Sequence, residues 1–201
     1  MDIVLQLTRE CNLACDYCYA DTTGSGAMTF ETARTVIDQF FPARGKLVVG
    51  FFGGEPLLAY DVMQQASRYL DAKVRRRRGI KLTKTFTTNG QGFTPEVADW
   101  LKASRFEMGL SLDGTREMHE THRKTRGGGS SYDLALATWH LALDRKIPVM
   151  PIMVVTPKTA TYLAEGVRFF IEELNAKAFS ISPDLKADWP ADAQAKMTSQ
   201  F

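Results

Sequence analysis

Residues 3–18 read Ile3-Val4-Leu5-Gln6-Leu7-Thr8-Arg9-Glu10-Cys11-Asn12-Leu13-Ala14-Cys15-Asp16-Tyr17-Cys18. The opening apolar run predicts a buried strand. Directly after it come the chain's three cysteines, spaced C-x3-C-x2-C. An odd, clustered set of thiols is a poor disulfide framework and a good metal site. Three thiolates on one short loop can wrap a compact iron–sulfur cube, each on its own corner, which leaves one iron for another ligand. Structural zinc wants four closed ligands, and there is no fourth cysteine. His119 and His122 lie three apart and do not form the H-E-x-x-H pair of a zinc helix. His140 falls in an apolar helix-like stretch and reads as a packed or surface residue.

Working outward, short apolar runs alternate with helical patterns along the chain. The expected strands are Ile3–Leu7, Lys46–Phe52, Leu82–Thr87, Phe106–Leu112, Val149–Val155 and Ala178–Ser182. Residues 60–78 and 161–175 carry apolar stripes at helical spacing. Thr94-Pro95-Glu96 offers a helix cap, an N1 proline and an early acid, and Ser130-Ser131 can cap the next helix. Six strands joined by crossover helices imply an α/β fold with a parallel sheet. Met28, Met63, Met108, Met118, Met150 and Met153 read as gap-filling core residues. Trp100 and Trp139 read as packing residues.

The polar motifs then share one end of the sheet. The cysteines follow the first strand, Gly53-Gly54-Glu55-Pro56 the second and Thr88-Asn89-Gly90 the third, while Ser111-Leu112-Asp113-Gly114 closes the fourth. The carboxyl ends of strands are where α/β sheets and barrels build sites. Each motif also has a plain structural use. Gly53-Gly54 fits a tight turn, Asn89-Gly90 and Asp113-Gly114 fit turns, and Arg123 fits a surface ion pair.

Bulk properties set limits. A chain of 201 residues suits one well-buried domain. Its 25 basic and 23 acidic residues leave a net charge of +2, which predicts no nucleic-acid or membrane partner. The run Arg75–Arg78 sits before Gly79 and complements the carbonyl end of a helix. No stretch approaches the roughly 20 apolar residues of a membrane span, and residues 1–5 do not resemble a signal peptide. A cytoplasmic protein with reduced thiols is expected. After the sixth strand, Ala191–Phe201 reads as another helix without a closing cap, so the chain, taken as one core domain over 1–201, reads as a core cut short of a C-terminal extension.

C-x3-C-x2-C with an aromatic residue, Tyr17, before the last cysteine resembles the signature of the radical S-adenosylmethionine (radical SAM) superfamily. Gly53-Gly54-Glu55-Pro56 resembles that family's GGE motif. Ser111-x-Asp113-Gly114 with His119 and Arg123 resembles a region of sulfatase and peptide maturases, the subgroup carrying SPASM-type extensions. The likeness covers residues 3–182. It implies a partial (β/α)6 TIM-like barrel, a [4Fe–4S] cluster on Cys11, Cys15 and Cys18, and S-adenosylmethionine on the open iron. It further implies that Gly53, Gly54 and Glu55 meet the methionine ammonium, with glycine letting the backbone approach the ligand. Tyr17 would recognise adenine through its backbone, Asn89 would line the site, Ser111 would contact the ribose and Arg123 the methionine carboxylate.

The implied activity is reductive cleavage of S-adenosylmethionine to a 5′-deoxyadenosyl radical that abstracts hydrogen from a peptide or protein side chain. An electron donor such as flavodoxin or ferredoxin would be the partner. The subgroup's auxiliary clusters need further cysteines, and this chain has none. Two other readings stay open: a radical SAM enzyme on a nucleoside or cofactor precursor, and a catalytically incomplete fragment or peptide-binding module. The residue that exchanges a proton or hydrogen after abstraction is unknown from the sequence.

Overall fold

The computed structural model describes residues 1–20 and 26–200. Six strands form its frame: β1 (Asp2–Thr8), β2 (Gly45–Gly53), β3 (Ile80–Thr88), β4 (Phe106–Ser111), β5 (Val149–Val155) and β6 (Ser180–Pro183). They make one sheet in the order β1-β2-β3-β4-β5-β6, with every neighbouring pair parallel. Helices cross between them: α1 (Phe30–Gln39), α2 (Tyr60–Arg76), α3 (Pro95–Ala103), α4 (Arg116–His122), α5 (Tyr132–Asp144) and α6 (Leu163–Arg168), with α7 (Ala191–Thr198) after β6. Sequential parallel order curls the sheet into the expected half-barrel, with β1 and β6 as its edges.

Strand alternation explains which face is buried. Leu5 and Leu7 of β1, Leu47, Val49 and Phe51 of β2, Phe86 of β3 and Met108 and Leu110 of β4 lie under the helices, almost free of solvent contact. Each such side chain contributes about 1.5–3 kcal/mol by leaving water. The alternate residues Val4, Gln6, Lys46, Glu107 and Met150 stay exposed on the other face. Met150 therefore departs from the core role expected of it. Met63, Met108, Met118 and Met153 are buried. Trp139 is also buried, while His140 is exposed.

Helix starts follow the sequence in part. The Thr94 side chain accepts from Val97 N at 3.3 Å and Pro95 opens α3. Of the Ser130-Ser131 pair, Ser130 Oγ accepts from Tyr132 N at 3.1 Å at the start of α5, while the Ser131 hydroxyl caps nothing and is drawn to the Arg123 carbonyl at 2.7 Å. The expected helix over 161–175 divides into a 3-10 turn at Ala160–Tyr162, α6, and a π-helical turn at Phe169–Glu173. The run Arg75–Arg78 closes α2 and its turn, as the helix dipole favours. α7 ends at Thr198, and Phe201 lies outside the described residues.

Candidate functional site

The three cysteines lie on a loop that returns along the sheet's carboxyl end. The loop is tied down at several points: Ala14 N donates to Lys124 O at 2.8 Å, Cys18 N to Cys15 O at 3.1 Å, and Leu13 is buried. Arg126 Nε donates to the Cys11 carbonyl at 2.7 Å. All three thiols are free, and they share the lining of one cavity of about 220 Å³. Gly53, Gly54, Thr88, Asn89, Ser111 and Arg123 complete its polar rim. Residues from four strand ends, together with Arg123, which lies 112 positions after Cys11, therefore converge in space.

The thiols suit a cation. Burial raises the Cys11 thiol and pushes Cys15 up to about 11. Both are neutral at ordinary pH, Cys15 in spite of the Arg123 charge beside it, and a bound metal would displace the protons. Among the described residues no three His, Cys, Asp or Glu side chains close on a single ion position. The two histidines face elsewhere, towards Ser131 and Thr156. The donor set is therefore three spread thiols, which fits a multi-iron cluster with one iron per sulfur.

Gly53 and Gly54 line the cavity and also meet a backbone constraint of their own. A Cβ on Gly53 would sit 2.3 Å from the Thr8 carbonyl oxygen, and one on Gly54 would sit 2.2 Å from that of Glu10. Gly53 also has φ +149°, a conformation that L side chains rarely adopt. These glycines let the end of β2 pass against the backbone leading into Cys11. Gly54 N and Glu55 N then donate to Thr8 O and Glu10 O, both at 2.9 Å.

Glu55 makes its contacts within the chain. Its carboxylate is fully buried and committed within the chain: Oε1 accepts from Leu57 N at 3.1 Å and Thr88 Oγ1 at 2.8 Å, and Oε2 from Asn89 N at 2.8 Å. It pins the end of β3 to the end of β2 and is not among the residues lining the cavity. Burial raises its pKa to about 7 against the pull of those three donors.

Asn89 joins the two ideas put forward for it. Its Oδ1 accepts from Gln91 N at 2.9 Å, an Asx turn. Its Nδ2 donates to Asn12 Oδ1 at 2.8 Å and points to Cys11 Sγ at 3.6 Å.

Ser111 lines the cavity. Asp113, two residues on, is buried and accepts from Arg123 Nε at 2.8 Å, Arg123 Nη2 at 3.1 Å, Val154 N at 2.9 Å and the Tyr17 hydroxyl at 2.5 Å. The plain reading of Arg123 as a surface ion pair fails, because the pair lies inside the protein with Arg123 at the cavity wall. Burial opposes the Arg123 charge, but the Asp113 carboxylate paired with it holds it firmly protonated. The Tyr17 ring packs 5.3 Å from the Arg123 guanidinium and 5.1 Å from the His122 ring.

His119 and His122 both take structural roles that their spacing does not reveal. His122 Nδ1 meets Asp16 Oδ1 at 2.5 Å and its Nε2 meets Thr156 Oγ1 at 2.7 Å, tying the cysteine loop to the end of β5. His119 Nδ1 accepts from Asp113 N at 3.3 Å and its Nε2 meets Ser131 Oγ at 2.9 Å. That arrangement demands the neutral ring, and burial, with help from Arg123, pushes its pKa down to about 4.

The match to the Radical SAM superfamily model runs over residues 5–169. The chain belongs to the radical SAM superfamily. A cysteine-type anaerobic sulfatase-maturating enzyme of Clostridium perfringens is 27% identical over 81% of this chain and 46% of its own length. An AdoMet-dependent heme synthase of Methanosarcina barkeri is 31% identical over 89% of this chain and 49% of its own. The solved structure of native anSMEcpe with bound AdoMet and Cp18Cys peptide superposes with a TM-score of 0.79 at 25% identity, covering 94% of this chain and 52% of that one. The chain spans about half the length of the curated relatives it matches. The family's cofactors, a [4Fe–4S] cluster and S-adenosylmethionine, fit the three-thiol cavity described above.

Proposed function

We propose that the protein is a radical SAM enzyme that modifies a peptide or protein side chain. The observation that carries the enzymatic reading is the single cavity shared by three free thiols, the Gly53-Gly54 turn, Ser111 and Arg123. A cluster held by Cys11, Cys15 and Cys18 would supply the electron for reductive cleavage of S-adenosylmethionine, and with it the radical chemistry that removes hydrogen from a substrate.

The chain's own groups bind, orient and shield. Cys11, Cys15 and Cys18 would hold the cluster. The backbone at Gly53 and Gly54 and the Asn89 side chain edge the space beside it. Ser111 offers a hydroxyl suited to a ribose, and the Arg123 guanidinium suits a carboxylate. Tyr17, Phe52, Ile152 and Val154 supply apolar wall that keeps water from a reactive centre. The peptide reading draws support from relatives named for sulfatase maturation and from a peptide-bound structure of the same fold. Flavodoxin or ferredoxin, in the cytoplasm, would be the electron donor. No described helix is long and apolar enough to cross a membrane.

The 31% identity to a heme synthase favours a second reading, a small-molecule substrate. The two separate in one assay. Anaerobically reconstituted, reduced protein is given S-adenosylmethionine with either a proteolytic peptide pool or a peptide-free metabolite extract, and 5′-deoxyadenosine is measured. Stimulation by the peptide pool, with a mass change in one peptide, is the expected result. Stimulation by the metabolite extract alone would overturn the peptide reading.

A further inference from the structure

Three parts of the site meet on one carboxylate. Asp113 Oδ2 accepts both the Tyr17 hydroxyl, from the cysteine loop, and Arg123 Nε. Oδ1 accepts Arg123 Nη2 and Val154 N from β5. Both ends of this ion pair are braced again from behind. Asp113 N donates to His119, His119 meets Ser131, and the Ser131 hydroxyl donates to the Arg123 carbonyl. One edge of the guanidinium, Nε and Nη2, is thus consumed, while Nη1 has no partner among the described residues and Arg123 borders the thiol cavity.

We infer that Asp113 is a positioning residue: it aims the free Nη1 edge of Arg123 into the cavity and locks that edge in register with the cysteine loop through Tyr17. An arginine alone at a cavity wall carries several rotamers. Two-point capture by a carboxylate leaves one, because the fork geometry is planar and bidentate. Tyr17 sits between Cys15 and Cys18, so its hydroxyl bond carries that orientation to the thiols. The anion presented to Nη1 would be the carboxylate of S-adenosylmethionine. This rests on the radical SAM reading proposed above.

The test uses the full reconstituted chain, with wild type as the reference for that reading. If wild-type protein takes up no iron or binds no S-adenosylmethionine, the functional reading fails before Asp113 is probed. Given a working wild type, Tyr17→Phe keeps the ring and the buried ion pair and removes only the hydroxyl. Asp113→Asn removes the charge that holds Arg123. Iron content, S-adenosylmethionine affinity and the electron paramagnetic resonance change of the reduced cluster on adding S-adenosylmethionine are compared. The expected result is iron content near wild type in Tyr17→Phe, an affinity loss of several-fold and an altered resonance change. Asp113→Asn should lose about tenfold or more, as truncating a buried charge pair does. Because Asp113→Asn could fail to fold, Tyr17→Phe and Asp113→Glu, which restores the charge and part of the affinity, keep the test decisive. Wild-type affinity and resonance in Tyr17→Phe and in whichever Asp113 variant folds, with only thermal stability lowered, would overturn the inference.

Discussion

Gly54 lies so close to Glu10 that a Cβ there would stand 2.2 Å from the Glu10 carbonyl oxygen. This contact sets how near the end of β2 comes to the backbone entering Cys11. Gly54→Ala is therefore expected to push the cysteine loop away, at about 1–3 kcal/mol of overpacking, and to lower iron retention. Gly50→Ala, whose Cβ would meet nothing closer than 3.5 Å, is the control and should keep both. Iron content and urea midpoints of the two variants check this.

Cys15→Ala should abolish cluster retention, read as loss of the brown absorbance and of bound iron. The sequence alone makes Leu13 a natural neutral neighbour for comparison, but Leu13 is 3% exposed and anchors the loop. Leu13→Ala should cost about 2–5 kcal/mol and impair loading as well. Ala14 is exposed, so Ala14→Ser is the variant expected to load normally.

His119 makes the fold acid-sensitive. Its folded pKa, about 4, lies below the ordinary 6.5, so the neutral ring's contribution is complete above 6.5 and is lost as pH falls towards 4. Between pH 7.5 and pH 5 this amounts to about 2 kcal/mol. Glu55 acts in the opposite sense, with a contribution present below 4.5 and lost as pH rises through about 7. Urea unfolding at both pH values should show a His119-dependent drop on acidification, and His119→Gln should remove that part of the slope.

His122 clasps the cysteine loop to the end of β5 through Asp16 and Thr156. His122→Ala removes the ring that joins Thr156 to Asp16 and leaves the Thr156 hydroxyl only Thr159 as a partner, at a cost of about 1 kcal/mol. It should slow cluster incorporation more than it lowers the final iron content. A time course of reconstitution against wild type measures both.

Six parallel strands and the gathering of four motifs at one sheet end are legible in the sequence, because alternation of strand and helix is a local pattern and the cysteine spacing is local too; the sequential strand order follows only from the family resemblance. The bonds that give the site its shape are not legible there. Tyr17 and Asp113 are 96 positions apart, and His122 and Asp16 are 106 apart. No periodicity encodes such pairs. The pattern Gly53-Gly54-Glu55 marks a strand-end turn, but it does not show that the glycines pass against the backbone of Thr8 and Glu10 or that the carboxylate ties down the end of β3. Asp113 looked equally suited to a turn or a site, and only its burial against Arg123 separates the two.

The most direct measurement is 5′-deoxyadenosine released from S-adenosylmethionine by anaerobically reconstituted, dithionite-reduced protein, beside Cys15→Ala treated identically. Release by wild type and none by the variant is the expected result. No release from well-folded wild type that carries its full iron complement would contradict the assignment of this cavity to radical SAM chemistry.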